Sequence, residues 1–337
     1  MKKFTKLALV SSIAFSANAM AMQAMDDAAL SSTTGQDGLS IGLGISKVTV
    51  DKLFVHDNDG LSNTALGGTS TAGAIVIQGT TDAANAKEIT LTDGSKISSA
   101  DFGVFVGANY KDGGAYLLDT HNLADLVIDT DAGTAAKGGA FINVAAQVSG
   151  LEIHIGEIGV TASGTQGTAT ANSAIRRGGD SSNYNAILSG LGIKTGIMSA
   201  NVQLGAAPQG AMIKLNSVMQ GGLEITDLGI LDSSTKGVTG VAGEILIDSI
   251  KVANTDSKDL DLKSAISVYG ASATTGNGFL RIVNDDAKGI DTYVKGVHLG
   301  SAAAASIGDI EVQGLRTYYS PAQGQFVPGS VITVSGH

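Results

Sequence analysis

The side chains able to do acid–base or metal chemistry are few and scattered. Five histidines occur, His56, His121, His154, His298 and His337, and no two stand at a spacing that would let them share a metal ion. His154 and His298 fall in alternating segments, on the side opposite the Ile and Val residues, which predicts solvated positions. With no cysteine, the chain has neither a thiolate ligand nor a disulfide framework. Asp57-Asn58-Asp59-Gly60 looks like the opening of a calcium loop. The frame that makes Gly60 its central glycine puts Val55 and Leu66 where the first and last carboxylates must stand, so an Asx turn is expected instead. Asp129 with Asp131, and Asp285 with Asp286, read the same way, as acidic turns before metal sites.

The glycine patterns carry no more. Gly190 to Gly196 reads GLGIKTG, one residue out of register with the dinucleotide fingerprint and without a following helix. No Gly-Lys dipeptide exists, which excludes a Walker A loop. Gly68-Thr69-Ser70-Thr71-Ala72 misses a nucleophile elbow at its last residue. The reading is therefore of a non-enzymatic protein, with no catalytic residue, no cofactor and no metal ligand assigned.

The elements behind these residues are strands. Glycine makes up 46 of 337 residues, roughly twice ordinary usage, and charged residues are 15%. A hydrophobic share of 43% argues against disorder. A formal charge of −10 disfavours nucleic acid as a partner.

At the start, Lys2, Lys3 and Lys6 precede the apolar run Leu7 to Phe15 and the small-residue site Ala17-Asn18-Ala19, which predicts a secretory signal over 1–19. A cut after Ala21 is the alternative. Residues 20–38 are expected to hold a short helical segment, started by Asp26 and Asp27 and ended by Gly35.

From Leu39 the period becomes two: Leu39, Ile41, Leu43, Ile45. Pairs of small or polar residues then break the alternation, in a grammar of apolar, two others, apolar, one other, apolar. It recurs at Ile45-Val48-Val50, Ile155-Ile158-Val160, Ile225-Leu228-Ile230, Ile247-Ile250-Val252, Val294-Val297-Leu299 and Ile307-Ile310-Val312. A straight strand would point the first two apolar residues of each set to opposite faces, so the chain must bulge or turn between them. The recurrence predicts a repeated unit, although its spacing follows no strict period.

The body, 39–315, is thus expected to be all-β, an elongated β-solenoid or an irregular stack of strands, with a polar loop insertion near 161–185. Residues 316–337, with Tyr318, Tyr319, Pro321, Phe326 and Pro328, are expected to form a terminal cap and a last strand.

The block Met25-Asp26-Asp27-Ala28-Ala29-Leu30-Ser31 through Thr34-Gly35-Gln36-Asp37-Gly38-Leu39, behind a signal and ahead of Ile-rich strands, resembles the FilA family of pilus assembly proteins of Gram-negative bacteria. The resemblance rests on about 15 residues and implies a structural or accessory role in a surface pilus or fimbria, including an adhesive one. Its partners would be other fibre subunits or assembly proteins, with self-association through strand edges. The location it implies is beyond the inner membrane: periplasm, outer membrane or cell surface. The alternatives are an outer-membrane β-barrel, disfavoured by aromatics at only 4%, and a secreted calcium- or carbohydrate-binding module.

Overall fold

The computed structural model describes residues 38–336 except 82–85, 166–174, 241, 273–275 and 286. The expected signal, the expected helical segment up to residue 37, Asp286 and His337 lie outside the described residues. The chain divides into two units, Met1–Leu39 and Ser40–His337, and the second carries the fold set out here.

The alternating run from Leu39 makes β1 (Leu39–Leu43), followed after a corner by β2 (Lys47–Val50) and β3 (Lys52–Asp57). β4 (Gly73–Gln78) returns along β3. An excursion over 79–103 then carries a small hairpin, β5 (Glu88–Thr90) and β6 (Lys96–Ser98), before β7 (Val104–Ala108) returns along β2. Next come β8 (Ala124–Asp131), β9 (Phe141–Val148), β10 (Leu151–Ile155), β11 (Glu157–Ser163), β12 (Gly179–Lys194), β13 (Met198–Gly205), β14 (Ile213–Met219) and β15 (Leu223–Asp232). The last part adds β16 (Gly243–Asn254), β17 (Leu260–Tyr269), β18 (Phe279–Asn284), β19 (Ile290–Gly300) and β20 (Ile310–Leu315). The two-residue pieces β21 (Tyr318–Tyr319) and β22 (Val327–Pro328) and the final β23 (Ser330–Val334) complete it. The all-β expectation holds.

Two large sheets share these strands. The first runs β1-β8-β9-β13-β14-β17-β18-β23; the second runs β2-β7-β10-β12-β15-β16-β19-β20, with β11, β4 and β3 branching from β12. Matching the two orders shows the plan. Each level holds one strand in each sheet, the two joined through a corner, and we call such a pair a rung. The first rung is β1 then β2, entered from the first sheet. The second is β7 then β8, entered from the second sheet, and the alternation continues to the eighth, β20 then β23. From β2 onward the registered pairings are antiparallel. Among the described residues neither large sheet closes on itself, which counts against the barrel alternative.

The corners lie side by side along a seam built from small and polar residues. Ser149, Asn109, Thr195 and Asn254 are all buried there. Asn109 Nδ2 donates to the Thr195 carbonyl at 2.9 Å, and the Leu151 N–H donates to Thr195 Oγ1 at 2.9 Å. Buried backbone groups at a corner have left the ladder, so side chains must take over as their partners. Gly150 fits because a Cβ would stand 2.6 Å from the Thr195 carbonyl oxygen and 2.7 Å from Tyr116 Cβ.

The recurring grammar marks a second line. Ile225 pairs with Ile250 and Leu228 with Ile247, and Ile250 and Ile247 pair in turn with Val294 and Val297. The first apolar position of one set therefore meets the second position of the next. Between them the strands kink together, through left-handed residues at Asp227 (φ 55°) and Gly296 (φ 68°) and through Gly308 (φ 136°). The kink returns both apolar residues to one face, as the parity argument requires. Five of the six sets fall on this line. Ile45-Val48-Val50 instead spans the seam corner between β1 and β2.

One result is an aliphatic ladder across the second sheet: Val48, Val106, Ile153, Ile193, Ile225, Ile250, Val294, Ile310. The first sheet has its counterpart in Ile128, Val144, Val202, Ile213, Ile266, Ile282, Ile332. Apolar cover falls away from the seam. Met219 and Leu260, beside it, are 5% and 7% exposed, whereas Leu204, Ile245, Val268 and Leu299 near the strands' far ends are 43–62% exposed.

Two boundaries move. The insertion expected near 161–185 narrows to 164–178, because β11 continues to Ser163 and β12 begins at Gly179, pairing Ser163 with Gly179 and Thr161 with Tyr184. Of residues 316–337, those described form the β21–β22 hairpin and β23, the outermost strand of the first sheet.

Candidate functional site

Two places depart from a simple stack: the roof that the 79–103 excursion puts over part of one face, and the two open ends.

Beneath the roof, Glu152 and His154 project from β10 on the face opposite the ladder, two residues apart and hence on one side. Glu152 is 1% exposed and His154 6%, which corrects the expected solvated position of His154. The reason is the excursion, whose Thr92 donates to Glu152 Oε2 from both its N–H (2.7 Å) and its hydroxyl (2.6 Å). The other carboxylate oxygen lies 3.1 Å from His154 Nε2, and the His154 ring packs at a tilt on Phe105. Burial opposes the charge of Glu152, yet the bonds from His154 and Thr92 outweigh it and hold the carboxyl below its usual range. At the start of β11, just past the end of β10, Glu157 is also buried, accepting from Thr81 Oγ1 (2.8 Å) and Tyr184 Oη (2.6 Å). Burial and that bond push the Tyr184 phenol up. Glu157 belongs to one of the polar pairs that interrupt the grammar, and its bond from Thr81 ties it to the start of the excursion. A cavity of about 260 Å³ remains under the roof, lined by Phe102, His154, Leu191 and Lys194 among others. That is smaller than typical small-molecule pockets. The cluster fixes the excursion to the sheet through the two Thr92 hydrogen bonds to Glu152.

The other sequence candidates behave as local structure. Asp57 Oδ1 accepts from the Asp59 and Gly60 N–H groups at 3.3 and 3.2 Å, the expected Asx turn, while Asn58 accepts from Arg177 at 2.6 Å. Asp131 accepts from Gly133 N–H at 2.6 Å. Gly190 to Lys194 belong to β12, and Gly192 lies against His154. His56 shares a 2.7 Å hydrogen bond with Ser163 Oγ and stacks on Phe54. His121 sits in a turn at φ 58°. His298 is held rather than solvated: its Nδ1 is 2.6 Å from the Ala304 carbonyl and its Nε2 3.2 Å from Asp248 Oδ1. Among the described residues no group of three His, Asp or Glu side chains is arranged to hold a metal. Sequence reasoning missed Glu152 altogether, although its Glu-x-His spacing on one strand face was available to find it.

Among the described residues, the strands at the open ends have neighbours on one side only. β2 ends the second sheet at one side and β20 at the other; β1 and β23 do the same for the first. The second-sheet ladder runs out to both of its edges and the first-sheet ladder to β23, with Val48 at 41%, Ile310 at 54% and Ile332 at 54% exposure. Tyr318 and Phe326, 55% and 77% exposed, stand out beside β23. Unpaired strands with apolar side chains at their edges are templates for adding another strand.

Residues 1–103 match the model of a family of unknown function, DUF6160. No curated protein and no solved structure matches the chain.

Proposed function

We propose that the protein is an exported, non-enzymatic structural component of a surface appendage, joined to neighbouring subunits through its strand edges. The observation that carries this reading is the pair of open sheets whose aliphatic ladders continue, exposed, into β2 and β20 of the second sheet and into β23 of the first. A protein that functions alone normally shields such edges with charge, proline or a covering segment, whereas β2 and β20 each carry a single charge, Lys47 and Glu311, beside their exposed apolar residues. Of the two stacked forms expected, the antiparallel rungs favour the irregular strand stack over a coil. The N-terminal signal reading and the resemblance to FilA-type pilus assembly proteins point to export and fibre assembly.

The test is to fractionate cells and image surface material with gold-labelled antibody. Mature chain beginning at Met20 or Met22, located in or along surface fibres, is the expected result. A cytoplasmic chain that retains Met1 would overturn the reading.

A further inference from the structure

We propose that the subunit added across these edges is a second copy of this same chain, docked head to tail, with β20 of one copy pairing antiparallel to β2 of the next. The proposal rests on the appendage reading above and names its partner.

Three observations converge on it. The first is parity. Rung one enters from the first sheet and rung eight from the second. Because the number of rungs is even, the first rung of a following copy continues the alternation in both sheets at once. With an odd number the joint would have to be parallel.

The second is the ladder, which starts at Val48 and ends at Ile310, each opposite a β-branched neighbour within the chain: Val106 and Val294. Setting Ile310 opposite Val48 of the next copy repeats the same contact.

The third is charge. One register position away, on the opposite face, the row across the sheet reads Lys47, Gly107, Glu152, Lys194, Glu224, Lys251, Tyr293, Glu311. From Glu152 to Lys251 the sign alternates strand by strand. The row begins with a base and ends with an acid, both exposed. The register that places Ile310 opposite Val48 also places Glu311 opposite Lys47 of the next copy, so the alternation carries through the joint. A tail-to-tail pair of two β20 strands offers Glu311 only Asp309, a second Glu311 or the neutral Gln313 as same-face partners in nearby registers, and a pairing with β23 offers residues Ser330 to Val334, which carry no charge. Like charges directly opposite one another disfavour pairing, and opposite charges favour it.

The chain has no cysteine, so engineered thiols report the joint without background. Directly paired antiparallel residues have Cα atoms roughly 4.5–5.5 Å apart, within disulfide range. The full chain carrying both Lys47→Cys and Glu311→Cys should, on mild oxidation, give a ladder of covalent oligomers on a non-reducing gel. The Lys47→Cys and Glu311→Cys chains mixed together should give dimer only, and each alone should stay monomeric. As a second arm, Glu311→Lys should weaken association roughly fivefold, and the exchange Lys47→Glu with Glu311→Lys should restore it. Self-crosslinking of Glu311→Cys alone, or failure of the charge exchange to restore association, would overturn the head-to-tail joint. If the chain is found in surface fibres but the double-cysteine variant yields no ladder from them, self-pairing fails while the appendage reading stands. If the ladder forms but the chain stays in the cytoplasm, the joint stands and the appendage reading fails.

Discussion

Two stretches of the same outer face make an instructive comparison. Glu152 and Glu224 occupy equivalent places in one cross-strand row, each directly opposite Lys194. Glu152 lies under the 79–103 excursion and is satisfied by Thr92 and His154. Glu224 lies on the unroofed stretch and pairs with Lys111 at 3.1 Å and Lys251 at 3.8 Å. Burial opposes charge at both positions. At Glu152 hydrogen bonds outweigh it, and at Glu224 the neighbouring lysines Lys111, Lys251 and Lys194 do, so both carboxyls are held low. Position in the ladder thus sets which residues can meet, while cover decides which of them do and how much each contact is worth.

The largest effect expected from that contrast lies in the kink line. A Cβ at Gly156 would run into the Gln78 carbonyl oxygen and stand 2.7 Å from that of Phe102, both fixed backbone at the two ends of the roofing excursion. Gly156→Val should cost about 3 kcal/mol or more. At the matching place on the unroofed side, nothing lies within 4 Å of a Cβ on Gly308, and only its φ of 136° resists substitution. Gly308→Ala should cost about 1 kcal/mol. Denaturant unfolding of both variants checks the pair, and similar costs would break the comparison.

Next in size is the carboxylate contrast itself. Glu152→Ala strands the Thr92 donors and His154 in a buried site and should cost about 2–4 kcal/mol, whereas Glu224→Ala, in a partly exposed network, should cost under about 1 kcal/mol. The pH dependence sharpens it. A group whose folded pKa is lowered stabilises fully above its unfolded value, about 4.3 for glutamate, and loses that contribution as pH falls through the folded value. The stability gap between the wild-type chain and Glu152→Gln should therefore hold steady above about pH 5 and shrink below pH 4. Thermal melts across that range measure it. A gap that widens on acidification would contradict the assignment.

How far these features could be read in advance differs between the two stretches. The unroofed rungs were legible: the recurring apolar grammar demanded a kink between its first two positions, and the kink line supplies it at Thr226-Asp227, Asp248-Ser249 and Lys295-Gly296. The roofed stretch was not. Nothing local to Glu152, His154 or Glu157 shows that a segment 60 residues away (Thr92 to Glu152) will lie on top of them, so period two placed His154 correctly on the polar face and then misjudged its solvation. The two-sheet plan was hidden for a related reason. Seam corners and kinks both interrupt alternation with small or polar residues, and Ile45-Val48-Val50 fits the kink grammar while turning a seam corner.

The smallest effect is expected at an unroofed kink position. Ser249→Glu sets an acid directly opposite Lys295 and should change stability by less than about 0.5 kcal/mol. A large loss there would mean that the outer face is covered beyond the excursion.

The central claim, that the open edges of the stacked sheets are where the protein meets its neighbour, is tested most directly by hydrogen–deuterium exchange of the full chain, monomeric against assembled. The account predicts new protection in the amides of β2, β20 and β23, with interior strands such as β15 and β16 unchanged. Protection that appears instead on the outer faces, with β2 and β20 still exchanging freely in the assembly, would contradict it.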